Sequence, residues 1–196
     1  MGTRGCYGFR KNGVDKLTYN HFDSYPDYLG EIMVKFCKET SIKELNEIFD
    51  KIILVNELHQ PTAEQIEECK EFYNGSVASQ SPDDWYCLLR EAQGNPDAYK
   101  NGLKYMTDCG DFIKDSLFCE YAYIINLDAN CLEFWVGFQK EPDSSNRYGK
   151  EDDRGYYPCK MVSYYRLEPE YMDQRSIEEY VADMEKMSRE EETDYA

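Results

Sequence analysis

The sequence predicts an α+β domain, an antiparallel sheet with four or five helices packed against it. Three observations carry this. Residues 4–22 and 119–139 alternate with a period of two, the signature of hairpin strands. Between them, apolar residues recur at three- and four-residue spacing, as on the buried face of helices. Helix-start devices also punctuate the chain, including S-x-x-E boxes at Ser41–Glu44 and Ser176–Glu179. With 196 residues and no linker-like stretch, the chain reads as a single domain over 1–196, with an acidic tail that frays from about 188.

In chain order, residues 4–10 and 15–22 predict a hairpin around Asn12-Gly13, since Asn-Gly supplies the positive φ of a type I′ turn. Asp23-Ser24-Tyr25-Pro26-Asp27 ends the return strand and opens a helix marked by Leu29, Ile32, Met33 and Phe36. The Ser41 box opens a helix over 42–55. Pro61-Thr62 with Gln65 opens another that stops at Gly75. Ser81-Pro82-Asp83-Asp84 and Asn95-Pro96-Asp97 start two more, the second running through Tyr99, Leu103 and Met106. The clearest hairpin places Tyr121, Tyr123, Ile125 and Leu127 on one face, opposite Leu132, Phe134, Val136 and Phe138. Residues 140–157 are polar and read as a long loop, mobile or functional. Residues 158–167 form a further strand, and Ile177, Tyr180, Val181, Met184 and Met187 a last amphipathic helix.

The formal charge is −17, with 39 acidic against 22 basic residues. Residues 1–38 hold six Lys/Arg and four Asp/Glu, leaving sixteen and thirty-five for the rest, so the acidity belongs to the body and tail. Such a surface repels the phosphate backbone, and direct nucleic-acid binding is not expected. It suits a chain that engages a basic partner. No apolar run predicts a membrane span and no signal segment is recognised, so a cytoplasmic location is expected.

The eight cysteines are widely spaced without a CxxC pair, which predicts free buried thiols. His21 and His59 are far apart and have no cysteines at zinc-motif spacing, so no metal is expected, and no cofactor motif is present. One candidate constellation is Cys6 with Asn20, His21 and Asp23. A thiol nucleophile needs a base and a group that orients the base, and a hairpin can bring position 6 toward the 20s. The competing structural reading makes Cys6 a small core residue, with Asn20, His21 and Asp23 satisfying the turn and capping the next helix. A second candidate is the acidic surface: Glu151, Asp152 and Asp153 with Tyr156 and Tyr157 in the long loop, and Glu178, Glu179, Asp183 and Glu185 in the last helix, continuing to Glu190, Glu191, Glu192 and Asp194. Tyrosines beside carboxylates suit a protein interface.

The strand–turn–strand ending in Asn20-His21-Phe22-Asp23 resembles the opening hairpin of N-terminal nucleophile hydrolases. That resemblance implies a thiol amidohydrolase with Cys6 as nucleophile, His21 as base and Asp23 as orienter. The opening MGTRGCYGFRKNGVDKLTYNHFDSYP and the strand YAYIINLDANCLEFWVGF resemble small acidic proteins carried by bacteriophages and prophages. This implies a mobile-element accessory protein acting against host defence. Together with the charge, it favours a non-enzymatic protein that inhibits a host nucleic-acid-targeting complex, in the manner of an anti-CRISPR, by occupying a basic groove. A third reading is a small-ligand or nucleotide-binding protein using a pocket beside the hairpin.

Overall fold

In the computed structural model, which describes residues 2–75, 82–151 and 154–193, the Asn-Gly turn forms as its chemistry requires. Asn12 and Gly13 have φ of 52° and 72°, and the turn joins β1 (Gly5–Lys11) to β2 (Val14–Asn20) in antiparallel register. The second hairpin pairs β5 (Tyr121–Asn126) with β6 (Cys131–Val136), and β6 pairs antiparallel with β7 (Lys160–Arg166). The sheet order is β2-β1-β5-β6-β7. The two hairpins are clamped at their turns: the Asp128 carboxylate accepts the N–H groups of Asn12 (2.6 Å) and Gly13 (2.9 Å).

The class is α+β as predicted, but the sheet is mixed rather than purely antiparallel. β1 and β5 run parallel, Gly5 opposite Tyr121. The chain between them passes through the helical region and re-enters at the same end of the sheet, as a parallel pair demands. A second correction concerns the helix predicted over 42–55. α1 (Glu31–Glu39) follows a wide turn at Pro26–Gly30, and α2 (Ile42–Lys51) then stops at Ile52. β3 (Ile53–Val55) takes over and pairs in parallel with β4 (Tyr105–Thr107). A run of Ile, Ile, Leu and Val favours extended backbone once a parallel partner is available. Met106, expected on a helix, lies in β4.

The helix starts are largely as expected. Reciprocal boxes close at Ser41/Glu44 and at Thr62/Gln65, the latter opening α3 (Ala63–Cys69). α4 (Trp85–Leu89) is capped by Asp84, which accepts from the Cys87 N–H; Ser81 lies outside the described residues. α5 (Asp97–Lys100) and α6 (Pro169–Met172) are single turns, which raises the helix count of the described residues to seven. α7 (Ile177–Thr193) opens with the Ser176/Glu179 box. It continues past 188, where the tail was expected to fray. Ser188 is buried against the Tyr121 hydroxyl (3.2 Å), and Glu191 pairs with Lys160.

Both faces of the sheet are covered. On one, Tyr7, Phe9, Tyr123, Ile125, Leu132 and Phe134 meet Met33, Phe36, Leu45 and Met184 from the helices. On the other, Cys6, Leu17, Ala122, Ile124 and Trp135 are covered by Ile113, from a single 3-10 turn at Phe112–Lys114, and by Cys159 and Tyr148, from irregular segments. Hence β6 is buried along its whole length. The 140–157 segment is therefore part of the core's cover.

Candidate functional site

The hairpin constellation is not assembled as a catalytic chain. Cys6 lies under the sheet with no exposure, its Sγ 3.8 Å from that of Cys119. The Cys119 contact and burial push its thiol well above the ordinary value, so it stays protonated. Asn20 is consumed by the turn. Its Nδ2 donates to the carbonyls of Phe22 (2.9 Å) and Asp23 (3.0 Å) and to Ser24 Oγ (2.9 Å), and its Oδ1 accepts from the Phe22 N–H. His21 is held edge-on by Tyr19 and Tyr86, each 4.8 Å away between centroids. Burial, with a smaller contribution from Arg90, lowers its pKa to about 4. Asp23 is exposed and lies against Gly2, where a Cβ would meet its Oδ1 at 2.5 Å. Neither His21 nor Asp23 hydrogen-bonds Cys6 among the described residues. The thiol-nucleophile arrangement is thus corrected to a buried core thiol and a turn-forming asparagine. All eight cysteines are free, seven of them buried.

The exit of the loop meets the C-terminal turns of the last helix, whereas Glu178 and Glu179 lie in its first turn, about 18 Å away along the helix axis. Lys160, three residues beyond Tyr157, pairs with Glu191 at 2.9 Å, which ties the exit of the loop to the last turns of α7. Tyr157 donates its N–H to the Gln139 carbonyl, and Tyr156 carries Lys140 Nζ 3.4 Å from its ring centroid. Glu151 is exposed; Asp152, Asp153 and Asp194 lie outside the described residues, as does the Glu192 side chain. On α7, Glu178 and Glu179 are exposed. Hydrogen bonds at the helix start, from its own backbone and from Ser176, hold the Glu178 carboxyl below the usual range. Glu179 also accepts the Ser176 N–H at 2.7 Å. Asp183 is turned inward, accepting from the Tyr165 hydroxyl (2.8 Å), with Arg175 at 3.7 Å. Glu185 faces Arg189 at 3.8 Å. The exposed carboxylates of the predicted set are therefore Glu151, Glu178, Glu179 and Glu190. Edge strand β7, on which α7 packs, exposes Tyr164 (62%) and Met161 (41%).

The sequence reading missed the group that fastens the loop. Glu133, in the middle of β6, is buried, and its carboxylate accepts from Asn126 Nδ2 (2.7 Å), Trp135 Nε1 (3.0 Å) and both Arg147 terminal nitrogens (2.8 and 2.6 Å). Tyr148 packs edge-on to Trp135, and Asn146 donates to the Cys159 carbonyl. One acid within an otherwise apolar strand was the available signal. No group of three or more potential metal ligands occurs among the described residues, and none of their helices is long and apolar enough to cross a membrane.

No model of a protein family, no curated protein and no solved structure matches this chain. Its functional reading rests on its own surface.

Proposed function

We propose that this chain is a non-enzymatic acidic protein of a phage or other mobile element, acting in the bacterial cytoplasm. It binds a host nucleic-acid-targeting defence complex and inhibits it, in an anti-CRISPR-like role, by occupying a basic groove that otherwise holds nucleic acid. The observation that carries the reading is the Lys160–Glu191 tie. It fixes the C-terminal turns of α7 against the exit of the 140–157 loop, so that the acidic helix lies along edge strand β7 in a chain whose formal charge is −17. Exposed Glu151, Glu178 and Glu179 supply the charge, and Tyr164 and Met161 on the neighbouring edge strand supply contact area. Interfaces combine these two features, aromatic or Met anchors for affinity and complementary charge for steering. Cys6, fully buried and protonated, favours a binding role over thiol chemistry.

The test is capture of partners from a bacterial lysate by the tagged full chain, repeated with duplex DNA as competitor. The reading predicts recovery of a basic nucleic-acid-binding effector that DNA displaces. Recovery of no such protein, or of one that holds DNA and this chain together, overturns it.

A further inference from the structure

Beside the start of β1 lies a cleft of about 420 Å³, within the roughly 300–1,000 Å³ typical of small-molecule sites. None of the carboxylates assigned above to partner docking lines it. Thr3 and Arg4 lead into β1 along one side, Tyr19, His21 and Phe22 leave β2 on another, and Phe118 and Glu120 approach β5 on a third. The three strand ends meet here because β1 pairs with β2 on one side and β5 on the other.

The chemistry of the lining is specific. Tyr19, His21 and Phe22 form an aromatic wall. Depressed to about 4 by burial, His21 is neutral near pH 7 and offers a hydrogen bond without charge. Thr3 lines the cleft, only 4% exposed, and its hydroxyl is one of five buried side-chain polar atoms without a hydrogen-bond partner among the described residues, and the one of the five that lines this cleft. A buried hydroxyl without a protein partner calls for a water or a ligand group, and here it faces a cleft. Arg4 is the cation of the cleft. Its backbone N–H donates to Glu120 (3.2 Å) and its guanidinium lies 4.9 Å from the Phe118 centroid, but it joins no salt bridge among the described residues. Six of the other seven arginines do: Arg10, Arg147, Arg154, Arg166, Arg175 and Arg189. In a chain with 39 acidic residues, an arginine at a cleft that makes no ion pair among the described residues is a ready anion site.

We propose that this cleft binds a small anion carried on a planar aromatic ring, with the ring against the Tyr19–His21–Phe22 wall and the anion on Arg4. Nucleoside monophosphates and aromatic carboxylates share that chemistry. A cationic ligand is disfavoured. Phe118, the ring that could cage it, already carries the Arg4 and Arg154 guanidinium groups, each 4.9 Å from its centroid. Glu120 is engaged by the Arg4 N–H.

The test is calorimetric titration of the full chain with AMP and with 4-hydroxybenzoate, using adenosine and inorganic phosphate as the separated halves. Saturable binding of AMP or of 4-hydroxybenzoate is expected, and whichever binds identifies the source of the anion. Each separated half should bind at least about tenfold more weakly than AMP if AMP is the ligand, and Arg4→Gln should weaken the bound probe by about tenfold or more. Arg4 is exposed, so this variant should keep the wild-type melting temperature. Thr3→Val, nearly isosteric, should also weaken binding. No saturation by either anion below about 1 mM, adenosine binding as tightly as AMP, or an affinity unchanged in Arg4→Gln overturns the proposal. The titration uses the isolated chain, so its outcome is independent of partner capture.

Discussion

Replacing Arg147 by Met removes the cation that holds the 140–157 segment on the sheet while keeping much of the side-chain volume. The Glu133 carboxylate it leaves behind is 4% exposed and retains two neutral donors, Asn126 and Trp135. Removing one partner of a buried pair costs about 3–5 kcal/mol, because the remaining charge is uncompensated. Against a typical total of about 5–15 kcal/mol this is a large share. At about 2–4 °C per kcal/mol for a chain of this size, the melting temperature should fall by about 10 °C. The pair itself is not a large net stabiliser, since desolvating both groups offsets most of their attraction. The informative quantity is therefore the coupling. Glu133→Gln should be clearly destabilising in the wild type and lose at least about 2 kcal/mol of that effect once Arg147 is Met, since neutralising the orphaned carboxylate then relieves a penalty. Urea denaturation followed by tryptophan fluorescence measures all four proteins, and Trp135 itself reports on the site. Limited proteolysis should cut Arg147→Met within 140–157 before the wild type. A loss below about 1 kcal/mol for Arg147→Met, or additivity within about 0.5 kcal/mol, would refute the fastening role.

Two further outcomes follow from the hairpin. His21 has a folded-state pKa of about 4 against 6.5, so the unfolded chain binds its proton first. Its contribution is fully present above pH 6.5 and is lost as pH falls toward 4. The full shift would correspond to about 3 kcal/mol; with the ring partly exposed and screened, about 1–2 kcal/mol is expected. His21→Phe should flatten the stability profile between pH 4 and 6.5 relative to wild type, and equal slopes would contradict the assignment. Cys6 should resist iodoacetamide in the native state and react on unfolding, as a fully buried, protonated thiol does. Cys6→Ala should leave partner capture unchanged, and rapid native alkylation would contradict its place in the core.

What the sequence disclosed was governed by range. The Asn12-Gly13 turn and the boxes at Ser41, Thr62 and Ser176 are decided within four residues, and all form. The pairing of β1 with β5 joins residues 116 apart, Gly5 with Tyr121, and no local signal encodes it. β3 was hidden because Ile52 extends the helical spacing of α2 while Ile53, Leu54 and Val55 answer to a partner fifty residues away. The second face of the sheet was missed for a related reason. Polar stretches read as loops, and nothing local showed that Tyr148 and Arg147 would close over Trp135 and Glu133. At the candidate sites, the turn-forming role of Asn20 was legible because its partners are its immediate neighbours. The inward turn of Asp183 toward Tyr165 was not, since it depends on how α7 docks on β7. The cleft at Arg4 gathers residues from three separated segments and has no linear signature.

The central claim, that the acidic surface of this chain occupies a basic groove, is tested most directly by the salt dependence of affinity for the captured effector. The comparison is between wild type and the triple variant Glu151→Lys, Glu178→Gln, Glu179→Gln. All three residues are exposed, and Gln at 179 keeps the capping box with Ser176, so the fold should be retained. The account predicts that the variant binds at least about tenfold more weakly at low salt, and that its affinity falls less steeply as salt is raised. Equal affinities and parallel salt profiles for the two proteins would contradict it.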